Sequence, residues 1–282
     1  MDTALWALAF TLLPWPERQK GELWDQLQAG SGPELPPRIQ RDLERLDRER
    51  PRLRDEAERR GAWLALPGDP GVAPRLAPLP YPVALWVRGT LPPLAPALAM
   101  VGSRSGPRSA LVRARDWART LTAAGGAVLS GLARGVDGAA HAGALEAGPT
   151  WGILGSGLDH PYPPEHAGLM ARMVAAGGGV ITPFPPDARP LKWHFPRRNL
   201  ILAAWTQGVA VLAARRASGS LITAQLALDL GKEVWACPGA PEDPLAEGPN
   251  RLLRAGAATI CLSAQDILED MRFLRWDLTS AP

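Results

Sequence analysis

Two cysteines, two tyrosines and four histidines are all that this 282-residue chain contains of those types, and only three of its 31 basic residues are lysines. Cys237 and Cys261 are too few for a disulfide framework and lack zinc-ligand spacing, so a reducing compartment, no metal and two buried thiols are expected. No apolar run approaches the roughly 20 residues that a membrane helix needs. The apolar start, "MDTALWALAFTLLPWPERQK", has neither a basic leader nor a small-residue cleavage site and reads as a core helix. A cytoplasmic protein with no membrane partner is expected. Also missing is a G-x-G-x-x-G turn before the first helix of the α/β region, and Ser130 stands where a dinucleotide site would end its second strand in an acid. Both absences argue against a dinucleotide-dependent oxidoreductase, and no cofactor is expected.

What is present is enough apolar sequence, 46% of the chain, for one large α/β domain or a main domain with a small appendage. The net charge of +3 is uninformative, but its distribution is not. Residues 101–232 carry 14 Lys and Arg against seven Asp and Glu, whereas residues 1–60 carry 11 against 12. The central region is therefore the candidate anion-binding part.

Residues 1–60 have a helical pattern. A Trp- and Leu-rich start is followed by a Gly/Pro break and by "RIQRDLERLDRERPRLRDEAERR", whose apolar seam is Ile39, Leu43, Leu46 and Leu53. Near balance of sign marks this run as a solvated helix pair, interrupted at Pro51, rather than a nucleic-acid arm. From Gly61 the texture changes to short apolar runs among prolines, which predict two short strands at a sheet edge.

A regular alternation then begins. The runs "ALAMV", "AVLS", "TWGIL", "GVIT", "GVAVLA" and "EVWAC" are each followed by a turn of small residues and mostly by a segment of helical period. Strand, turn and helix repeated in this way predict a Rossmann-like, doubly wound parallel sheet with helices on both faces. Ligands of such sheets lie beyond the carboxyl ends of the strands, where these turns fall.

The turns share a chemistry. In "VGSRSGPR", Gly102 and Gly106 let backbone approach a ligand, Pro107 suits a first helical position, and free amides with Ser103 and Arg104 suit a phosphate. In "LSGLARGVDGAAHAGAL", Ser130 precedes Gly131 and Gly135, which bracket Arg134; Asp137 reads as an N-cap and His141, one turn on, as its hydrogen-bond partner. "ILGSGLDHPYPPEH" contributes Gly155 and Gly157, and "ASGSLITAQLAL" places Ser218, Gly219, Ser220 and Thr223 at a helix start. Between them "KWHFPRRN" interleaves rings with cations: Lys192, Phe195, Arg197, Arg198 and Asn199 become candidates beside the turns. Stacking on rings requires exposed base faces, so the segment points to single-stranded nucleic acid; Trp193 and Phe195 could equally pack on the sheet.

Taken together, "VGSR", "SGLARGVDGAAHAGAL", "LGSGLDHPYPPEH", "FPRRN", "SGSLITAQLAL" and "PGAP" followed by "GPNRLLRAGA" resemble, block by block and in order, the DNA-processing protein A family of bacterial transformation, over about residues 64–260. The resemblance implies a Rossmann-like DNA-binding core over residues 61–265, a small sterile-alpha-motif-like helical domain over residues 1–60, and no catalytic residue. It also implies binding and protection of incoming single-stranded DNA, delivery to the RecA recombinase, and a homodimer, for which the apolar "RLLRAGAATICL" offers Leu252, Leu253, Ala257 and Ile260, residues that suit an ordinary core nearly as well. Residues 266–282 read as a short tail without the winged-helix domain of many members. The chain departs from the family pattern at Thr182-Pro183, where a Ser-Glu pair is usual, at Ala213 for Glu, at His166 for Asn and at Leu200 for Arg. A competing enzyme reading, a lysine-decarboxylase-like nucleotide phosphoribohydrolase, needs a Pro-Gly-Gly-x-Gly-Thr stretch and a following Glu; here only Pro238-Gly-Ala-Pro241 occurs.

Overall fold

The computed structural model describes residues 2–13, 15–30, 35–93 and 96–273. Three helices open the chain: α1 (Thr3–Leu12), capped by the Asp2 carboxylate, α2 (Glu17–Gln28) and α3 (Pro37–Arg59). Helix α3 runs unbroken through Pro51, contrary to the expected interruption. Pro51 is exposed, so the carbonyl that loses its amide partner there lies on the solvent side of the helix. Leu46 of the apolar seam is buried, with Ile39 and Leu43 packed beside it. Trp6, Phe10 and Trp24 join the same apolar cluster as Tyr81, Val83 and the sheet residues Leu85 and Val87. The change of texture near residue 60 is thus not a break in the core.

A short strand β1 (Trp63–Ala65), a helical turn α4 (Ala73–Leu76) and β2 (Leu85–Gly89) follow. The alternating part then gives β3 (Ala97–Val101), α5 (Arg108–Ala123), β4 (Ala127–Ser130), α6 (Val136–Ala144), β5 (Thr150–Ile153), α7 (Ala167–Ala175) and β6 (Gly179–Thr182). Its second half gives α8 (His194–Trp205), β7 (Gly208–Val211), α9 (Gly219–Asp229), β8 (Glu233–Ala236), α10 (Glu247–Arg254), β9 (Thr259–Ile260) and α11 (Ala264–Phe273).

All nine strands form one sheet, ordered β1-β2-β6-β5-β4-β3-β7-β8-β9. The proline-flanked β1 and β2 pair antiparallel and form one edge; the strands from β6 to β9 are parallel. Successive side chains of β3 divide between the two faces. Leu98 and Met100 pack with Ala114, Trp117 and Leu121 of α5, while Ala97, Ala99 and Val101 pack with Ile201, Leu202 and Trp205 of α8. Helices cover both faces, as the alternation predicts. Ile267 and Met271 of α11 join the α5 cluster, so residues 264–273 form a docked helix where a tail was expected from residue 266; residues 274–282 lie outside the described residues. Because β3 pairs with β4 on one side and β7 on the other, its carboxyl end is where the winding reverses, the usual place for a ligand crevice.

Candidate nucleic-acid interface

A cleft of about 630 Å³ opens over the carboxyl ends of β3, β4 and β7. Its floor is the turn after β3. The Ser103 amide donates to the Ala213 carbonyl (2.7 Å), the Val136 amide donates to the Ser103 carbonyl (3.1 Å), and the Ser105 amide donates to Ser103 Oγ (3.2 Å). A side chain at Gly102 would collide with Val136, its Cβ 2.7 Å from Cγ2, so glycine lets this turn lie against α6. Gly135 caps α6 with φ +74°, and a Cβ there would run into the Ser103 carbonyl. The two glycine turns that the sequence presents separately are one packed unit.

On this floor stand a ring and several cations. Phe195, half-buried at the start of α8, has Arg104 Cζ 5.5 Å and Arg198 Cζ 6.0 Å from its centroid. Tyr162 meets it edge-on at 5.8 Å. The ring fits because Gly155 has no side chain, since a Cβ there would lie 2.9 Å from Phe195 Cδ1. Exposed Lys192, just before α8, and Arg215, before α9, line the cleft, and the start of α9, capped by Ser218 Oγ accepting from the Ser220 amide, forms one wall. Gly219, Ser220, Thr223 and Asn199 complete that wall. Among the described residues no carboxylate pairs with Arg104, Lys192 or Arg215. An anion entering here therefore meets uncompensated positive charge, helix-start amides and a ring face.

Beneath the cleft lies a buried polar layer. Arg198, 4% exposed, donates to the carbonyls of Gly131 and Ile153 and, at 3.0 Å, to Asn199 Oδ1. A side chain on Gly131 would occupy the guanidinium's place. Burial lowers the Arg198 pKa to about 10, opposed by the Asp137 charge and reinforced by Arg104. Asp137 is buried too; burial pushes its carboxyl up, against the pull of Arg198 and the Ala133 amide, which donates to it at 3.2 Å. It therefore closes the turn from inside the first helical turn, with Gly135 rather than Asp137 at the N-cap. His141 does not bond to Asp137. Its Nδ1 lies 2.9 Å from Thr150 Oγ1, which spends its own hydrogen on the Val128 carbonyl, so Nδ1 is the donor and Nε2 is left buried without a partner. Burial, with His166 and Arg198 nearby, lowers the His141 pKa to about 3.

Leu132, in the turn between these groups, takes φ 58° although it is not glycine. Its buried side chain fills the space that a Cβ on Gly152 would claim, and its carbonyl accepts from His166 Nδ1 at 2.9 Å. His166 thus anchors the turn. Thr182 Oγ1 donates to the Ser156 carbonyl (2.8 Å), Ala213 supplies its carbonyl to the turn after β3, and Leu200 packs against the core. Thr182, Ala213, His166 and Leu200 are thus each engaged within the fold.

Not every expected site residue reaches the cleft. Arg197 turns away: its Nη2 donates to the Phe10 carbonyl of α1 at 2.9 Å, one helical position from Arg198 and on another face. Ser130 is fully buried, its Oγ donating to the Met100 carbonyl at 2.5 Å, and Gly157 packs under the carbonyls of Pro185 and Pro186. Gly135 and Gly155 act by what they leave empty. Arg134 borders an adjoining recess and is held by Glu165. Conversely, Tyr162, Ser105, Asp137 and Arg215 line the cleft without having been singled out for it. Tyr162 stood in the quoted "DHPYPPEH" segment and Arg215 beside the small-residue turn before α9, so the signal existed only as proximity to motifs. Among the described residues no cluster of three or more His, Cys, Asp or Glu forms that could hold a metal ion, and no helix is long and apolar enough to cross a membrane.

Residues 69–272 match the model of the DNA recombination-mediator protein A family. The chain belongs to this family. Among recombination-mediator relatives, the Smf protein of Escherichia coli is 42% identical over 210 residues, 73% of this chain and 56% of that protein. The DNA processing protein DprA of Bacillus subtilis is 37% identical over 193 residues, 67% of this chain and 64% of that protein. The chain thus spans somewhat over half the length of these relatives. The solved structure of Streptococcus pneumoniae DNA processing protein A superposes with a TM-score of 0.74 at 29% identity, covering 95% of this chain and 98% of that one. That likeness extends past the family match into the N-terminal helices. A structure of the Helicobacter pylori protein, described for its single-stranded DNA binding mode, superposes with a TM-score of 0.64 at 26% identity over 70% of this chain and 91% of that one.

Proposed function

We propose that this chain binds single-stranded DNA in the cleft at the carboxyl edge of its sheet, in the cytoplasm, shielding incoming strands from nucleases and handing them to the RecA recombinase. The observation that carries the binding is Phe195, a half-exposed ring seated on a glycine, with Arg104 at 5.5 Å and unpaired Lys192 beside it. A ring that takes one base face, with cations that take the adjoining phosphates, selects strands whose bases are unpaired. Gly102, Ser103, Arg104 and Gly131 hold one phosphate, Ser218, Gly219, Ser220 and Thr223 hold another, and Lys192 adds its charge where the cleft adjoins Trp193; Arg198 and Asn199 support the phosphates from beneath. Residues 61–265 act as the DNA-binding unit, with the helices of residues 1–60 packed on it. Protection and recombinase delivery rest on family membership.

Homodimerisation through the β9 edge belongs to the same reading. Ile260 is 54% and Leu262 69% exposed on the last strand of the sheet and just beyond it, and Leu252, Leu253 and Ala257 shortly precede that strand in the chain. The chain acts as a binder and not as a phosphoribohydrolase. Asp137, the sole carboxylate among the described residues lining the cleft, is committed to the Ala133 amide and the neighbourhood of Arg198. The test is a gel shift with single-stranded and blunt duplex oligonucleotides at two salt concentrations. Preference for the single strand and a clearly negative salt slope are expected; equal affinity for duplex, or release of free base from a nucleoside monophosphate, overturns the reading.

A further inference from the structure

Outside the cleft, among the described residues, Trp193 presents an exposed aromatic ring. It is 56% exposed, although the residues on either side of it point elsewhere: Lys192 lines the cleft and His194 is 3% exposed. The indole is nevertheless held. It meets Phe184 edge-on at 5.8 Å and His194 at 4.2 Å, while Phe184 and His194 stack on each other at 3.8 Å. Phe184 is buried in the segment that leaves β6, so this stack is rooted in the sheet. A tryptophan that served only as packing would bury its ring, whereas this one is fixed at its edge and open over more than half its surface.

Position along the sheet gives the ring its meaning. The turn before α9 follows β7, the Gly102 turn follows β3, the Gly131 turn follows β4, Phe195 rests on Gly155 after β5, and Trp193 rests on Phe184 after β6. These sites follow the strand order β7, β3, β4, β5, β6 without a gap, so the carboxyl edge forms one track that continues beyond the cleft. Exposed Arg189 and Lys192 flank Trp193 in the chain.

We propose that Trp193 is a second base-stacking platform, taking a nucleotide of the same DNA strand as it leaves the cleft past Lys192. This rests on the cleft reading above and extends it from a single ring to a two-ring path. The rings' flat faces and the flanking cations suit a nucleotide of any base; an apolar protein segment would use the ring without the cations.

The test compares oligothymidylates of about 3 and about 12 nucleotides, the first filling the cleft and the second running past it. In fluorescence anisotropy, Trp193→Ala should weaken the longer oligonucleotide about 5- to 150-fold, the loss of one stacked base, and so flatten the gain in affinity with length. Trp193→Phe should restore most of that gain. Thermal melting within a few degrees of the parent would show that the exposed ring is not holding the fold. If Trp193→Ala binds the longer oligonucleotide within about twofold of the parent while Phe195→Ala loses it, the platform is overturned and the cleft stands. Unaltered DNA binding accompanied by loss of a protein complex would also overturn it. If Phe195→Ala and Arg104→Ala bind both lengths as the parent does, it is the cleft reading that fails.

Discussion

In and beside α3 several arginines meet acids: Arg45 faces Asp42 and Glu49, Arg50 faces Asp47 and also Asp2 of the α1 cap, Arg54 faces Asp69, and Arg60 beyond the helix faces Glu56. In the cleft at the carboxyl edge of the sheet, Arg104 and Arg198 form no ion pair with an acid among the described residues, although Arg134 beside it is held by Glu165. Arg104 has a ring for a neighbour and Arg198 has backbone carbonyls, with Asp137 the nearest acid in the layer. In the first region charge is balanced locally and faces water, so it supports the helix weakly and gives little net field. In the second it is concentrated over low-dielectric walls, which costs the fold something and suits an anion. Arginine count therefore says little about DNA binding, and the partners of each arginine say much.

The sharpest way to break this contrast is to truncate Arg198. Arg198→Ala leaves the Gly131 and Ile153 carbonyls and the Asp137 carboxyl without their buried partner, and a loss of about 3–5 kcal/mol is expected in urea denaturation. Stability within 1 kcal/mol of the parent would mean that this arginine is as dispensable as those of α3.

Acid should separate the two regions next. All four histidines lie between positions 141 and 194, and none is in the N-terminal helices. With a folded pKa of about 3 against 6.5 unfolded, His141 binds its proton more readily when the chain unfolds. Its contribution is therefore complete above about pH 6.5 and declines as pH falls toward 3, by up to about 1.4 kcal/mol per unit. The cause is structural: a second proton would sit on Nε2, which has no acceptor. Denaturation at pH 7 and pH 5 should show the drop, and His141→Gln should diminish it; an unchanged drop would place the acid sensitivity elsewhere.

Within the cleft, Phe195→Ala should weaken single-strand binding by about 1–3 kcal/mol with little change in salt dependence, since a ring displaces no counterion. Arg104→Ala should weaken binding to every sequence alike and reduce the salt slope by about 0.7, the single-strand value for one phosphate. An unaltered slope would remove the phosphate grip. As the smallest effect, Arg45→Ala in α3 should cost at most about 0.5 kcal/mol and leave DNA affinity unchanged. A weakening comparable to Arg104→Ala would make the N-terminal helices part of the interface.

Much of this was legible in the chain as written. The alternation of apolar runs with turns of small residues determined a doubly wound sheet, because a strand buried on both faces must be continuously apolar and a parallel neighbour requires a crossover. The turns after β3 and β4 were legible as candidate anion sites because a phosphate at a helix start needs small residues and free amides there. Family membership was legible because six blocks occur in order. Less was legible where side chains choose among faces. Pro51 did not break α3, since an unpaired carbonyl facing water costs less than unpacking the seam, and α11 docked because Ile267 and Met271 found an apolar surface that no local pattern describes.

Arginines 197 and 198 mark the boundary. Sequence by itself determined that two cations follow a ring at the start of a helix, but adjacent helical residues point about 100° apart, and which of the two looks toward the sheet depends on how the helix is rolled. Tertiary structure decided that Arg198 goes under the cleft, where Gly131 leaves room for a guanidinium, and that Arg197 goes to the carbonyl of Phe10 in α1. It decided likewise that Phe195 faces the cleft and Trp193 the solvent beyond it. The physical reason is that residue type and local period are properties of the chain, whereas the space and the partners available to a side chain are supplied by segments distant in sequence.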